Sequence, residues 1–412
     1  MKTETSDPAL NPVTFGRLPI FDAQKNLWGY ELAYPGAGQG KKFSNGGITA
    51  ELVSGTALAL EQTLDREKRI MINFSRKNIL ENLPHALPPG RTAVKLTDSA
   101  ALPEAVVQSL AKLKKEGYMV VAGWKENGPV FEQADVISLD ISAMVLPQLV
   151  EVCRRADGYG ALILAENVNN QTRFDICAKA GVCYFKGSFF KQPEDVSIQR
   201  ISSGTVSRFK LLEAIEQKDP DYDKLAETIQ ADAAISFRLL SYLNSASFGF
   251  RRKVDSIKDA ITLLGWNKLK NWLRVILLAD VSESPHSQEL IFLSAQRGKF
   301  LEQVGLDHDF WGFDPDSLFL LGVFSLLDAL LNQPMTQIIT YLPLADKLKG
   351  ALCLEENNEY VPLLKLARYY EEARFDRTEA MISQLGLDAV KVNMAYFGAM
   401  DWANRNSEMS AK

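Results

Sequence analysis

The change of rhythm near residue 190 constrains this chain most. Before it, short apolar runs alternate with amphipathic stretches; after it, only helical periodicity remains. The strand candidates are 14–22, 27–34, 69–74, 92–96, 118–122, 135–139, 161–165 and 183–186, with amphipathic stretches at 48–63, 102–115, 142–156 and 170–180. Strands alternating with helices at this spacing predict a parallel sheet or a (β/α) barrel. The first two runs are joined by Ala23-Gln24-Lys25-Asn26 and read as a hairpin, a local departure from strict alternation.

From about residue 199 onward the chain reads as all-α. LAETIQADAAISFRLLSYLN sets Leu225, Ile229, Ile235, Leu239, Leu240 and Leu243 on helical faces, with Asp232 as an N-cap. In SIKDAITLLGW, Ser256 and Asp259 have capping-box spacing and Gly265 stops the helix. WNKLKNWLRVILLADV then turns Leu269, Trp272, Leu273 and Ile276 inward, and helical patterning continues through 287–304, 315–331, 358–373 and 388–404. The polar, Pro- and Gly-containing segment 191–204 marks the boundary between a 14–193 domain and a 199–412 domain.

Composition excludes several function classes. A formal charge of −5 gives no reason to expect nucleic acid, and the basic FRRK patch at 250–253 reads as a solvated turn. The most apolar run, LFLLGVFSLLDALL (318–331), carries Ser325 and Asp328 and is short for a bilayer, so it reads as a buried helix and no membrane is expected. The N-terminal MKTETSDPALNP lacks the apolar core of a signal peptide. Cys153, Cys177, Cys183 and Cys353 form no CxxC or Cys/His cluster and read as free, mostly buried thiols of a cytoplasmic protein. His85, His286 and His308 are too few and too scattered for a metal centre or a nucleophile–base pair, and read as solvated loop residues. No GxSxG, P-loop or GxGxxG is present.

Polar residues at strand ends are the better lead. Glu31, Asn73, Asp140 and Glu166 stand at comparable points of four strand candidates and would converge on one barrel face. That set suits a divalent metal or a phosphate ester, and it suits helix capping equally well. The strand in GYMVVAGWKENG (117–128) delivers Gly123 and Trp124 at the same level, where carboxylates would be expected.

The blocks GYELAY, INFS, DVISLDIS, LAENVNNQTRF and YFKGSFFKQP, in this order, resemble the EAL domain of bacterial cyclic di-GMP phosphodiesterases over 14–193. The blocks from LAETIQADAAISFRLL to AITLLGW, and LFLLGVFSLLDALLNQPMTQIITYLPL, resemble the HDOD domain, a metal-free relative of the HD hydrolases. The resemblance implies a TIM-like (β/α) barrel of EAL type, reduced because 31–193 is short for one, followed by a helical HDOD domain. It also implies that an active site would hold Mg²⁺ or Mn²⁺ at Glu31, Asn73 and Glu166, with Asp140 in a retained motif. The departures are Lys95 for a ligand Glu, Gly123 and Trp124 for an Asp-Asp pair, Ser138 for a catalytic Lys, Asn169 for a second Glu and Lys186 for a Gln. In the helical half, Ser325 and Leu326 stand where a His-Asp pair would.

Too few hard oxygen ligands remain for two metals. The expectation is therefore a non-catalytic signalling or scaffold protein with no metal and no cofactor. It would act through protein partners in a cyclic di-GMP setting, with a homo-oligomer left open. The alternative is a receptor that binds cyclic di-GMP uncut, Trp124 stacking on a base and Lys95 and Lys186 meeting phosphates. A divergent phosphodiesterase built on Glu31, Asp140 and Glu166 ranks below both.

Overall fold

The computed structural model describes residues 15–34, 68–96, 102–124, 129–193, 203–217, 226, 229, 235, 262–263, 265–279, 286–308, 312–342 and 344–407. The 48–63 stretch, the FRRK patch and most of 218–261 lie outside these residues; Ala226, Ile229 and Ile235 lie within them and are buried.

Eight strands close into a barrel in chain order: β1 Gly16–Asp22, β2 Leu27–Ala33, β3 Arg69–Phe74, β4 Thr92–Leu96, β5 Met119–Gly123, β6 Val136–Asp140, β7 Leu162–Glu166 and β8 Tyr184–Lys186. All neighbours pair in parallel except β1, which is antiparallel to both β2 and β8, so the first two runs do form a hairpin. The strands are buried on both faces, which is why they read as continuous apolar runs such as Ile70-Met71-Ile72.

The short length expected to reduce the barrel has cost no strand. It shows instead between β5 and β6, where the described residues hold only the 3-10 turn Pro129–Glu132 in place of an α-helix. Val130 and Phe131 of that turn are buried. The other described crossovers carry helices: Arg76–Leu80, Glu104–Lys115, Leu146–Asp157 and Gln171–Lys179.

The chain divides into two compact units, Met1–Phe189 with Arg368–Phe397, and Phe190–Ala367 with Gly398–Lys412. In the first unit a late segment packs against the start of β1. Phe15 is buried between Tyr34 and Phe397, with ring centroids 6.1 and 5.5 Å away. Gly16 follows, and a Cβ there would lie 2.7 Å from the Cβ of Ala373. Gly16→Val is therefore expected to cost about 1–3 kcal/mol by overpacking, read as a lower denaturation midpoint. An unchanged midpoint would mean that this contact is slack.

The second unit is helical, and no strand follows β8 among the described residues. Its core joins Trp272, Leu273 and Ile276 of helix Trp266–Ala279 to Leu290, Phe300 and Leu301 of helix Ser287–Asp307 and Phe319 and Leu321 of helix Pro315–Phe324. The last two helices touch backbone to backbone: a Cβ on Gly322 would lie 2.4 Å from the Gly298 nitrogen.

The apolar run 315–331, expected as one helix, is two, Pro315–Phe324 and Leu327–Leu331. Ser325 ends the first by donating its hydroxyl to the Gly322 carbonyl, 2.7 Å away, and accepting from Arg297 at 2.9 Å. No single described helix is long and apolar enough to cross a membrane. The segments Pro315–Leu331 and Met335–Tyr341 reach the required composition only as a pair bent by 114°.

Candidate functional site

The barrel's alternation sets the site. Ile20, Met71, Ala93, Val121, Val136 and Leu164 form one buried layer inside the barrel, with Trp28, Met119 and Tyr184 packed against it. Residues two further along each strand share that face. They are Asn73 on β3, Lys95 on β4, Gly123 on β5, Ser138 on β6, Glu166 on β7 and Lys186 on β8. Asn73 lies level with Lys95, and Gly123 with Ser138. Glu31 enters from β2.

Four of these side chains close a ring of alternating charge. The Lys95 ammonium donates to Glu31 Oε1 at 3.3 Å and to Glu166 Oε1 at 2.7 Å. Lys186 donates to Glu166 Oε2 at 2.6 Å and to Glu31 Oε2. Asn73 adds a hydrogen bond from Nδ2 to Glu31 Oε1 at 2.8 Å. The Glu31 side chain is 4% exposed and the other three between 12% and 17%.

Burial alone would push the Glu31 and Glu166 carboxyls up, but the Lys186 and Lys95 charges outweigh it and hold both below the ordinary range. Burial alone would likewise lower Lys186, yet the two carboxylates hold its ammonium above the usual lysine value. Glu31, Glu166 and Lys186 are therefore ionised at neutral pH, and the ring's formal charges, two acids against two lysines, sum to zero.

A divalent cation does not fit this arrangement. Hard cations take six or more oxygens at short range. Here both oxygens of Glu31 and of Glu166 already face ammonium groups. Among the described residues no group of three or more His, Cys, Asp and Glu could hold a metal ion.

The other residues singled out from the sequence stand apart from the ring. Asp140, level with Glu166, is exposed and accepts from the Ser142 N–H at 2.9 Å. Its carboxyl, which burial would raise, is held low by hydrogen bonds from Asn167 and Ser142. Exposed Asn169 accepts from Ser188 Oγ at 3.4 Å. Buried Ser138 gives its carbonyl to the Trp124 N–H at 2.8 Å. Trp124 stacks on Phe131, with centroids 5.3 Å apart and planes 19° apart, and the Arg155 guanidinium lies 5.0 Å from its ring. Leu326 is buried beside the helix break at Ser325.

His286 and His308 correct an expectation: both are buried rather than solvated. His308 caps helix Ser287–Asp307, with its Nδ1 3.0 Å from the Val304 carbonyl. His85 is the solvent-side one and pairs with Glu116 at 2.7 Å. All four cysteines are free.

A second ionic cluster, unnoticed in the sequence, sits in the helical unit. Arg274 is fully buried and makes two hydrogen bonds of 2.6 Å to Glu216, with others to Asp316 at 2.7 Å and Asn271 at 2.7 Å. Lys270 contacts Asp316 at 2.5 Å and lies 3.8 Å from Glu216. The signal available was an arginine inside the apolar stretch WLRVILL.

The HDOD domain family matches residues 204–296. The chain is 27% identical over 406 residues to the uncharacterized protein YuxH of Bacillus subtilis, covering 95% of this chain and 98% of that one. It is 28% identical over 398 residues to the cyclic di-GMP phosphodiesterase CdgJ of Vibrio cholerae, covering 94% and 91%. Among solved structures, an EAL domain protein of Listeria monocytogenes is 15% identical with a TM-score of 0.36, covering 46% of this chain and 93% of its own. The Bacillus subtilis YkuI protein, with an EAL domain, is 17% identical with a TM-score of 0.35, covering 64% and 74%.

Proposed function

We propose that the chain is a two-domain EAL–HDOD protein, a non-catalytic member of cyclic di-GMP signalling that acts through protein contacts in the cytoplasm. The observation that carries this is the closed ring of Glu31, Lys95, Glu166 and Lys186. Metal-assisted phosphodiester hydrolysis needs cations to polarise the phosphate and to generate the attacking hydroxide. The carboxylates that would hold those cations are already neutralised by ammonium groups. Asp140 is exposed and tied up by the Ser142 N–H, and Ser138 offers no charge where the resemblance implies a catalytic lysine.

The same ring weighs against a receptor that grips phosphates through Lys95 and Lys186, because each ammonium already serves two carboxylates. The Trp124 ring, stacked on Phe131, weighs against its serving as a base platform.

The name of the Vibrio cholerae relative sets the competing outcome. Purified full chain incubated with cyclic di-GMP and Mg²⁺ or Mn²⁺ is expected to yield no linear dinucleotide by chromatography. Titration calorimetry with the same ligand is expected to show no heat. Turnover would overturn the proposal, and micromolar binding without turnover would replace the scaffold by a receptor.

A further inference from the structure

We infer that the late helices of the first unit form a separate binding site, one that takes a small organic cation with an apolar body, such as an amide of an apolar amino acid. The cavity has a volume of about 510 Å³, and the described residues that line it all lie between Tyr370 and Asn393, within the first unit. Small-molecule pockets fall in the range of about 300–1,000 Å³.

Helix Phe375–Gln384 presents one face to this cavity. Phe375, Thr378, Glu379, Ile382 and Ser383 recur at the three- and four-residue spacing of a single helix face. Ala389 and Asn393, one turn apart on helix Ala389–Ser407, line another side, and Leu387 lies in the connection between the two helices. Burial grades the lining. Tyr370, Thr378, Ile382 and Leu387 are buried and form the floor, whereas Glu379, Ser383 and Ala389 are exposed and form the mouth. The Thr378 hydroxyl is spent on the Arg374 carbonyl at 3.1 Å, so the floor offers mainly carbon.

The polar groups left over define the ligand. Glu379 is the one charged group in the lining among the described residues, and none of them pairs with its carboxylate. The Tyr370 hydroxyl donates to Asn393 Oδ1 at 2.6 Å, and burial holds that phenol above its ordinary range, so it stays a donor. Asn393 is thereby fixed with its oxygen used and its two Nδ2–H donors unused among the described residues. A carboxylate at the mouth with no cation beside it repels a phosphate, and a single acid holds no metal. What fits is an ammonium against Glu379, an oxygen acceptor against the Asn393 amide, and an apolar body on Ile382, Leu387 and the Tyr370 ring. A lysine side chain of a partner protein fits in reverse, because it would carry its charge to the floor and leave its stem at the mouth.

The test is a ligand-observed NMR titration of the full chain with L-phenylalaninamide, which carries all three features, and with N-acetyl-L-phenylalaninamide, which lacks the charge. Wild type is expected to bind the first with a dissociation constant below about 1 mM. It should bind the second at least about fivefold more weakly, the loss of one exposed charge contact. Glu379→Gln is expected to abolish the difference between the two probes. Ala389→Phe, an enlarged side chain at an exposed position of the mouth, is expected to abolish binding of both. Should Ala389→Phe melt below wild type, Ser383→Phe, exposed on the neighbouring helix, takes its place.

No binding of L-phenylalaninamide to wild type at millimolar concentration, equal binding of the acetylated probe, or binding that survives the mouth-filling variant would each overturn the inference. The site does not rest on the signalling role proposed above: turnover of cyclic di-GMP would overturn that role and leave this titration as it is.

Discussion

Arg274→Ala is expected to destabilise the helical unit by about 3–5 kcal/mol, the cost of leaving a buried charge without its partner. Arg274 is fully buried and holds Glu216 through two hydrogen bonds of 2.6 Å. With it gone, Glu216, 9% exposed, keeps among the described residues Lys270 at 3.8 Å. Asp316 fares better because it is 41% exposed and retains Lys270 at 2.5 Å. The loss should thus come mainly from Glu216. A second change separates charge from packing: Arg274→Met/Glu216→Leu removes both partners and should recover much of the loss, because an apolar pair does not need to be ionised. Urea unfolding of the three proteins reads both effects. A cost below about 1 kcal/mol for Arg274→Ala, the range of an exposed pair, would show the cluster to be open to water.

The strands were legible because their code is local. Every one of the eight lies within two residues of its sequence bounds, since apolar runs between turns leave little choice of phase. The uniformly apolar run 315–331 hid its break at Ser325, since a helix apolar all round carries no period to interrupt. The helices Asp346–Leu352 and Phe375–Gln384 were not picked out at all. The return of Arg368–Phe397 to the barrel was invisible for another reason: nothing local ties Phe397 to Phe15.

The site was half legible. Each odd residue could be named, but not which of them meet. Lys95 and Lys186 read as separate departures; only the closed register brings both to Glu31 and Glu166. Trp124 shows what alternation could have told. Val121 is in the inner layer, so Gly123 shares its face and Trp124 belongs to the other. The indole accordingly meets Phe131 of the 3-10 turn and Arg155 of helix Leu146–Asp157, on the flank where the described part of the β5–β6 connection holds only that turn. The bulk at Trp124 reads as cover for the barrel wall.

Glu31→Gln is expected to cost the barrel about 3–5 kcal/mol near neutral pH, although it changes neither length nor volume. Glu31 is the most buried member of the ring and accepts from Lys186, Lys95 and Asn73. A neutral amide leaves two ammonium groups to share Glu166 alone. The pH dependence tells this loss from a packing defect. The Glu31 and Glu166 carboxyls are held below their ordinary values, so their contribution is complete above the unfolded pKa of about 4.3 and fades as pH falls through the folded one. Lys186 is held above its ordinary value, so its contribution is complete below about 10.4 and fades as pH rises through the folded pKa. Between those limits the wild-type advantage over Glu31→Gln should be flat. On the acid side it should shrink as protonation makes Glu31 neutral too. Denaturation midpoints of the two proteins across that range check this. A difference that stays constant into strong acid would mean that Glu31 supports the barrel by its shape and not by its charge.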